Sequence, residues 1–243
     1  MSDAGRVIAG SARGTRLRAP GEGTRPFGDR VKQTLFAILE PDLPGANVLD
    51  LFAGSGAGGI EALSRGAAKA TFVERDHTAV AVIGENLTRA RLTERGRVVR
   101  GEALVYLKDR ASTDGPFDLI LLDPPYADTA AMGATLTRLG TVDASLLTPE
   151  GWVVAKHFWR TPPPAFVGLL ASVRTRRFGE TALTFYRLGE ESPEATASVE
   201  DITHDLLSAG PQEATGEDRR LPGFIRPDHL RPPRRGRPGG RRF

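Results

Sequence analysis

The sequence predicts an α/β fold: an open, doubly wound, mostly parallel sheet of seven strands that closes with an antiparallel hairpin. Three observations predict it. From Asn47 onward, short apolar runs alternate with amphipathic stretches, the pattern of parallel strands joined by crossover helices. The first run ends in a glycine-rich turn at Gly54-Ser55-Gly56. The last two runs, 171–178 and 181–188, flank Gly179-Glu180 as the strands of a hairpin would.

Val48 to Leu51 reads as the first strand, and the helix after it, carrying Ile60, Leu63 and Ser64, can end at Gly66 in a left-handed conformation. Ala70 to Val73 is the second strand, followed by helical spacing through Val80, Ile83 and Leu87. The third strand centres on Val98-Val99, and Leu104 to Leu107 begins the next helix. Leu119 to Leu122 is the fourth strand and Trp152 to Ala155 the fifth, with Trp152 and Phe185 read as core. Ahead of these, segments 6–9 and 16–19 are expected to pair as a small β-hairpin arm around Arg13-Gly14. Asp29 is placed to cap a helix whose Val31, Leu35, Ile38 and Leu39 share one face, until Pro41 and Pro44 stop it. The domain plan is a basic arm and docking helix over 1–44, a catalytic domain over 45–188, and a tail over 189–243. Residues 190–218 are rich in Glu, Ser, Thr and Ala, and 219–243 hold nine arginines among Pro and Gly. Such a composition buries too little apolar surface to offset ordering, so disorder is expected, with at most a helical turn or two at Ile202 to Leu207.

Of the 243 residues, 40% are hydrophobic, which fits one soluble catalytic domain. There is no cysteine, which excludes disulfides, a thiolate nucleophile and a cysteine-ligated zinc; no metal site is expected. No apolar stretch approaches the roughly 20 residues of a membrane span, and Met1 to Ala12 lacks a signal-peptide core, so a cytoplasmic protein off the membrane is expected. The net charge is only +3. Its placement matters more, because Arg6, Arg13, Arg16, Arg18, Arg25, Arg30 and Lys32 face only Asp3, Glu22 and Asp29 in the first stretch. Such an arm gains affinity for a polyanion by displacing counterions, and Arg13, Arg16, Arg25 and Arg30 are its candidate contacts. Taken alone, the same segment also fits a solvated basic surface.

The chemistry centres on two motifs. In Asp50-Leu51-Phe52-Ala53-Gly54-Ser55-Gly56 the glycines remove Cβ atoms that would keep a ligand off the backbone, at the strand end where adenosine cofactors lie. Asp50, Phe52, Gly54, Ser55 and Gly56 are the candidate cofactor contacts there. Glu74, twenty residues after Gly54, is placed to accept ribose hydroxyls, and Glu102 to accept from an adenine amino group. The turn also satisfies a dinucleotide fingerprint, so it does not choose the cofactor. Asp123-Pro124-Pro125-Tyr126, directly after the fourth strand, does. An exocyclic amine on a base is a poor nucleophile because its lone pair is delocalised. The Asp123 carboxylate and Pro124 carbonyl, both acceptors, would hold its N–H bonds for in-line attack on a sulfonium methyl. Tyr126 would stack on the base, with Pro125 beside it.

Together with Arg6-Val7-Ile8-Ala9-Gly10, Arg13-Gly14, Arg25-Pro26, Asp29-Arg30-Val31 and Glu61-Ala62-Leu63-Ser64-Arg65-Gly66, these motifs make residues 6–188 resemble the RsmD family of bacterial 16S ribosomal RNA guanine-N2 methyltransferases. The resemblance implies a Rossmann-like class I methyltransferase fold, S-adenosyl-L-methionine as donor, and a guanine of an assembled small-subunit particle as acceptor. Carried over by position, Gly54 and Gly56 would contact the methionine part, Glu74 the ribose, Glu102 the adenine, and Asp123 to Tyr126 the target base. A monomer is expected. Phe27-Gly28 departs from the small hydroxyl pair usual after Arg25-Pro26. The rival readings are methylation of adenine N6 or a protein glutamine amide, a nicotinamide-dependent oxidoreductase, and a non-catalytic ribosome-assembly factor. Lys156 and His157 read as surface charge, with RNA phosphate as their functional alternative.

Overall fold

A computed structural model of the chain describes residues 3–21, 27–109, 111–141 and 146–189. Arg25 and the tail from residue 190, including Ile202 to Leu207, lie outside the described residues. A hairpin of β1 (Asp3–Arg6) and β2 (Arg16–Arg18) leads into helix α1 (Asp29–Leu39). Then follow β3 (Asn47–Leu51), α2 (Ala57–Ser64), β4 (Lys69–Glu74), α3 (His77–Ala90), β5 (Gly96–Arg100), α4 (Ala103–Asp109) and α5 (Ala111–Asp114). The chain continues through β6 (Phe117–Leu122), α6 (Thr129–Leu139), β7 (Leu147–Phe158), β8 (Phe166–Val167), β9 (Leu170–Phe178) and β10 (Thr181–Leu188).

Strand β3 is buried at every position, as a central strand covered on both faces must be, which is why Val48, Leu49 and Leu51 show no alternation. It pairs in parallel with β4 on one side and β6 on the other. The sheet runs β5-β4-β3-β6-β7-β10-β9-β8, parallel through β7 and antiparallel thereafter. The seven expected strands are present, and the two-residue β8 adds an eighth at the edge. Strand order reverses between β3 and β6, so a crevice opens there at the carboxyl ends of the strands. Leu51 is registered with Leu122, which brings the segments after β3 and β6 side by side. Among the described residues no helix is long and apolar enough to cross a membrane.

Helix α2 is buried on all sides. Gly59 seats it on β4, because a Cβ there would collide with the Phe72 ring. Its outer face is covered by the arm, and the contact is polar. The fully buried Glu61 carboxylate accepts from the N–H groups of Ile8 (2.7 Å) and Ala9 (3.1 Å) and from Arg65 Nε (2.8 Å). This corrects the expected hairpin: β1 ends at Arg6, because Ile8 and Ala9 give their N–H groups to Glu61 and not to a ladder. Asp29 is likewise not the cap of α1, where Gly28 takes that place without a side-chain bond. Its carboxylate instead pairs with Arg6 (3.4 Å) and the buried Lys32 (3.5 Å). Trp152 is only partly buried. Its indole N–H donates to Asp42 (2.8 Å) and Arg187 lies over its ring, the usual compromise of an aromatic with a polar edge.

Glu61→Ala is expected to lower unfolding stability by about 3 kcal/mol, since it orphans two backbone donors and leaves the buried Arg65 guanidinium only the more distant Glu40 carboxylate, 3.9 Å away. Glu61→Gln, which keeps one acceptor oxygen, should lose less. Urea unfolding of both variants decides it, and an alanine variant as stable as wild type contradicts the anchoring role.

Candidate active site

A cavity of about 810 Å³ occupies the crevice, within the roughly 300–1,000 Å³ of small-molecule and cofactor sites. Asp50, Phe52, Gly54, Ser55, Glu74 and Glu102 line it, and so do Asp123, Pro124, Pro125 and Tyr126. The two motifs therefore open into one space.

The turn after β3 is bent by a left-handed residue with a side chain, Phe52 (φ 62°), a conformation that costs on the order of 1–3 kcal/mol and gathers at functional sites. A Cβ on Gly54 would meet nothing closer than the Phe52 carbonyl at 4.0 Å, so here glycine keeps open the space beside the backbone. Gly56 does otherwise. It does not line the cavity, and a Cβ on it would press on Ile83 at 3.2 Å; its left-handed φ of 76° starts α2.

Glu74 accepts from Gly54 N–H (2.8 Å) through one oxygen and from Asp76 N–H (2.9 Å) through the other. A carboxylate has about four acceptor sites, so capacity for two hydroxyls remains. Glu102 stands at the rim, with Arg75 3.6 Å away. Asp50 is buried beneath the turn and accepts from Gly59 N–H at 2.8 Å. Burial pushes its carboxyl up to about 8; the Gly59 hydrogen bond opposes the rise, and the charges of Asp123 and Glu74 add to it. A cavity lined by the acidic side chains of Asp50, Glu74, Asp76, Glu102, Asp123 and Asp128 and walled by Phe52 and Val73 suits a ligand that is cationic at one end and carries a ribose, so the residues fit S-adenosylmethionine.

On the acceptor side, the Lys156 ammonium lies 2.6 and 2.8 Å from the two oxygens of Asp123. It also lies 5.3 Å from the Tyr126 ring centroid and 5.5 Å from that of Phe27. Tyr126 is held by a 2.7 Å hydrogen bond between its hydroxyl and that of Thr181. The Pro125 carbonyl accepts from Asp128 N–H at 2.8 Å and closes the elbow, while among the described residues no hydrogen bond reaches the Pro124 carbonyl.

Lys156 and His157 are not surface charges. Strand β7 continues through Phe158, and both are buried in it. His157 donates from Nδ1 to the Phe158 carbonyl, which leaves Nε2 of the neutral ring to accept from the Thr184 hydroxyl, each 2.9 Å away. Burial holds its imidazole below the ordinary value, against the Phe158 carbonyl. A signal for Lys156 existed: continuing the alternation of β7 from Val154, a cavity-lining residue, puts Lys156 on the same face. Pro20, Gly21 and Phe27 also line the cavity, with no motif in the sequence to mark them.

Among the described residues, Arg13, Arg16 and Arg30 do not line this space. Ser11 N–H and Ala12 N–H bond Ser64, at the end of α2 opposite the crevice, a helix length of about 12 Å away. Arg13 is exposed beside them, and Arg16 pairs with Asp3 at 3.1 Å. Arg30 is exposed in the first turn of α1.

A Rossmann-like sheet with a glycine turn and an Asp-Pro-Pro-Tyr elbow on one cavity defines a class I methyltransferase. The family model described as Conserved hypothetical protein 95 matches residues 5–187, and the chain belongs to this family, the RsmD family. A Haemophilus influenzae relative named ribosomal RNA small subunit methyltransferase D is 39% identical over 168 residues, 63% of this chain and 86% of that protein. One of the same name from Escherichia coli K12 is 41% identical over 151 residues, 61% of this chain and 69% of that protein. Among solved structures, a candidate methyltransferase from Escherichia coli aligns with a TM-score of 0.66 at 32% identity, covering 75% of this chain and 97% of that one.

Proposed function

We propose that this protein transfers a methyl group from S-adenosyl-L-methionine to the exocyclic N2 of a guanine in 16S ribosomal RNA. The observation that carries the reading is the single cavity shared by the Gly54 turn and the Asp123 elbow. When bound, the donor supplies an electrophilic methyl on a sulfonium. Gly54, Glu74 and Glu102 hold its methionine, ribose and adenine parts. Asp123 and the Pro124 carbonyl accept the two N–H bonds of the amine, and the Tyr126 ring supports the base. The nitrogen lone pair would form the new N–C bond as the S–C bond of the sulfonium breaks and leaves a neutral thioether, and the proton then shed from nitrogen has Asp123 as its nearest acceptor. Lys156 acts through Asp123: it fixes both carboxylate oxygens, so the acceptor stays aimed when the base arrives. The guanine must leave its stack to reach the elbow. The acceptor is presented by an assembled small-subunit particle, and the enzyme acts as a cytoplasmic monomer. Residues 1–44 form an arm on the catalytic domain of 45–188.

Mapping modified nucleotides by mass in ribosomal RNA from cells with and without the protein tests this directly. Loss of one N2-methylguanine from the small-subunit RNA is expected. Loss of an N6-methyladenine, or unchanged RNA with loss of a methylated glutamine, would transfer the same chemistry to another acceptor. Tyr126→Ala should raise KM for the particle by about tenfold through lost stacking, whereas Tyr126→Phe should stay near wild type. Equal KM for the two variants would remove the ring from base recognition.

A further inference from the structure

Beyond the elbow the rings continue outward. Tyr126 lies 6.3 Å from Phe158, and Phe158 lies 6.5 Å from Trp159, centroid to centroid. Trp159 follows the last residue of β7, and its N–H donates to the Glu180 carbonyl at 3.0 Å, which pins it at the β9–β10 turn. The guanidinium carbon of Arg177 sits 3.5 Å from the Trp159 ring centroid, and that of Arg160 5.0 Å. Arg177 Nε also donates to the Gly179 carbonyl at 2.9 Å. The stack is thus fixed from two sides. Arg160, Arg174, Arg176 and Arg177 are all exposed here, and Glu180 is the only acid between Trp159 and Thr181.

This surface is an open sheet edge. The two-residue β8 pairs only with Leu170 and Ala171, and among the described residues no strand covers β9 from Val173 to Phe178. Arginines on such an edge also deter edge-to-edge pairing. That role explains Arg174 and Arg176, but it does not require a half-exposed tryptophan held outside the sheet with a guanidinium on its face. Stacking rings interleaved with cations are what an unpaired nucleic-acid strand binds: bases have π-faces to stack and phosphates to neutralise. Arginine on an aromatic ring keeps its edge donors free for phosphate.

We propose that the β9–β10 hairpin, with Trp159 and Arg177 as a stacking platform, Arg160 beside it, and Arg174 and Arg176 along the same edge on the other face of β9, binds the unpaired RNA beside the target guanine. The ring path from Tyr126 to Trp159 makes the platform continuous with the elbow, at the reach of nucleotides flanking the target. This assignment rests on the methyl-transfer reading, so binding and turnover are measured separately.

Full-length wild type, Trp159→Ala, Arg160→Ala/Arg176→Ala/Arg177→Ala, and Arg13→Ala/Arg16→Ala are compared on small-subunit particles and on 16S ribosomal RNA. Trp159→Ala is expected to raise KM by about tenfold with kcat and affinity for S-adenosylmethionine unchanged. The triple arginine variant should flatten the slope of log binding constant against log salt by about 2, at roughly 0.7–0.9 for each phosphate no longer neutralised. Arg177→Lys should keep the salt slope and lose the stacking part. Hairpin variants with wild-type melting temperature, KM and salt slope overturn the proposal. So does a pure edge effect, in which the triple variant self-associates on sizing columns but binds RNA as wild type does. If wild type methylates no guanine, the methyl-transfer reading fails, while the salt slopes still decide whether the hairpin holds RNA. A flattened slope in the arm variant alone would move the RNA contact to Arg13 and Arg16.

Discussion

Asp123→Ala is expected to lower kcat by about 10²–10³-fold, as the loss of one preorganised partner to the reacting group does, while S-adenosylmethionine binds almost as before. The cavity explains the split: Asp123 lies on the elbow after β6, whereas Gly54 follows β3 and Glu74 ends β4. The same substitution also leaves the buried Lys156 ammonium without its two oxygen partners. Breaking such a pair from one side costs about 3–5 kcal/mol, so a poorly folded variant could imitate a catalytic defect. Asp123→Ala combined with Lys156→Met removes both charges and should recover most of the stability without recovering turnover. Melting temperature and single-turnover methylation, measured on both singles and the double, separate the two effects. Restored methylation in the double variant would mean that Asp123 serves folding only. Lys156→Met alone should keep the acceptor but loosen its aim, with a smaller fall in kcat than Asp123→Ala gives.

Much of this arrangement was legible locally. The strand runs at Val48 to Leu51 and Leu119 to Leu122, the glycine turn and the proline elbow each declare themselves within a few residues. The doubly wound topology then dictates that turn and elbow meet. What escaped depends on partners far along the chain. The arm's register is set by Glu61, 53 residues beyond Ile8, and no periodicity within the arm reveals that acceptor. Lys156 follows an apolar run that ends at Ala155, and its burial makes sense only once Asp123, 33 residues away, is known to face it. Gly56 satisfies a cofactor fingerprint by sequence, yet its missing side chain makes room for Ile83. The arm's basic residues form a charge pattern suited to a polyanion, but charge carries no position. Ser64 places Arg13 at the end of α2 away from the crevice.

Asp50 supplies a second large effect, in the pH dependence of stability. Its carboxyl titrates near 3.8 when exposed and is pushed up to about 8 in the fold by burial. A raised folded value means that the native state holds a proton the unfolded chain has released. The stabilising contribution is therefore complete below about 3.8 and disappears as pH rises through about 8. Asp50→Asn keeps an oxygen for the Gly59 N–H and does not titrate. Relative to that variant, wild type should lose up to about 1.4 kcal/mol of stability per pH unit across this window. Urea unfolding of both proteins at pH 5, 6, 7 and 8 reads the difference, and parallel curves would contradict a proton held at Asp50. The same linkage reaches the cavity, because a cation entering it favours the ionised carboxylate. The affinity for the sulfonium donor relative to its neutral thioether product should then rise with pH toward 8 in wild type. In Asp50→Asn, where no proton is displaced, that ratio should stay flat.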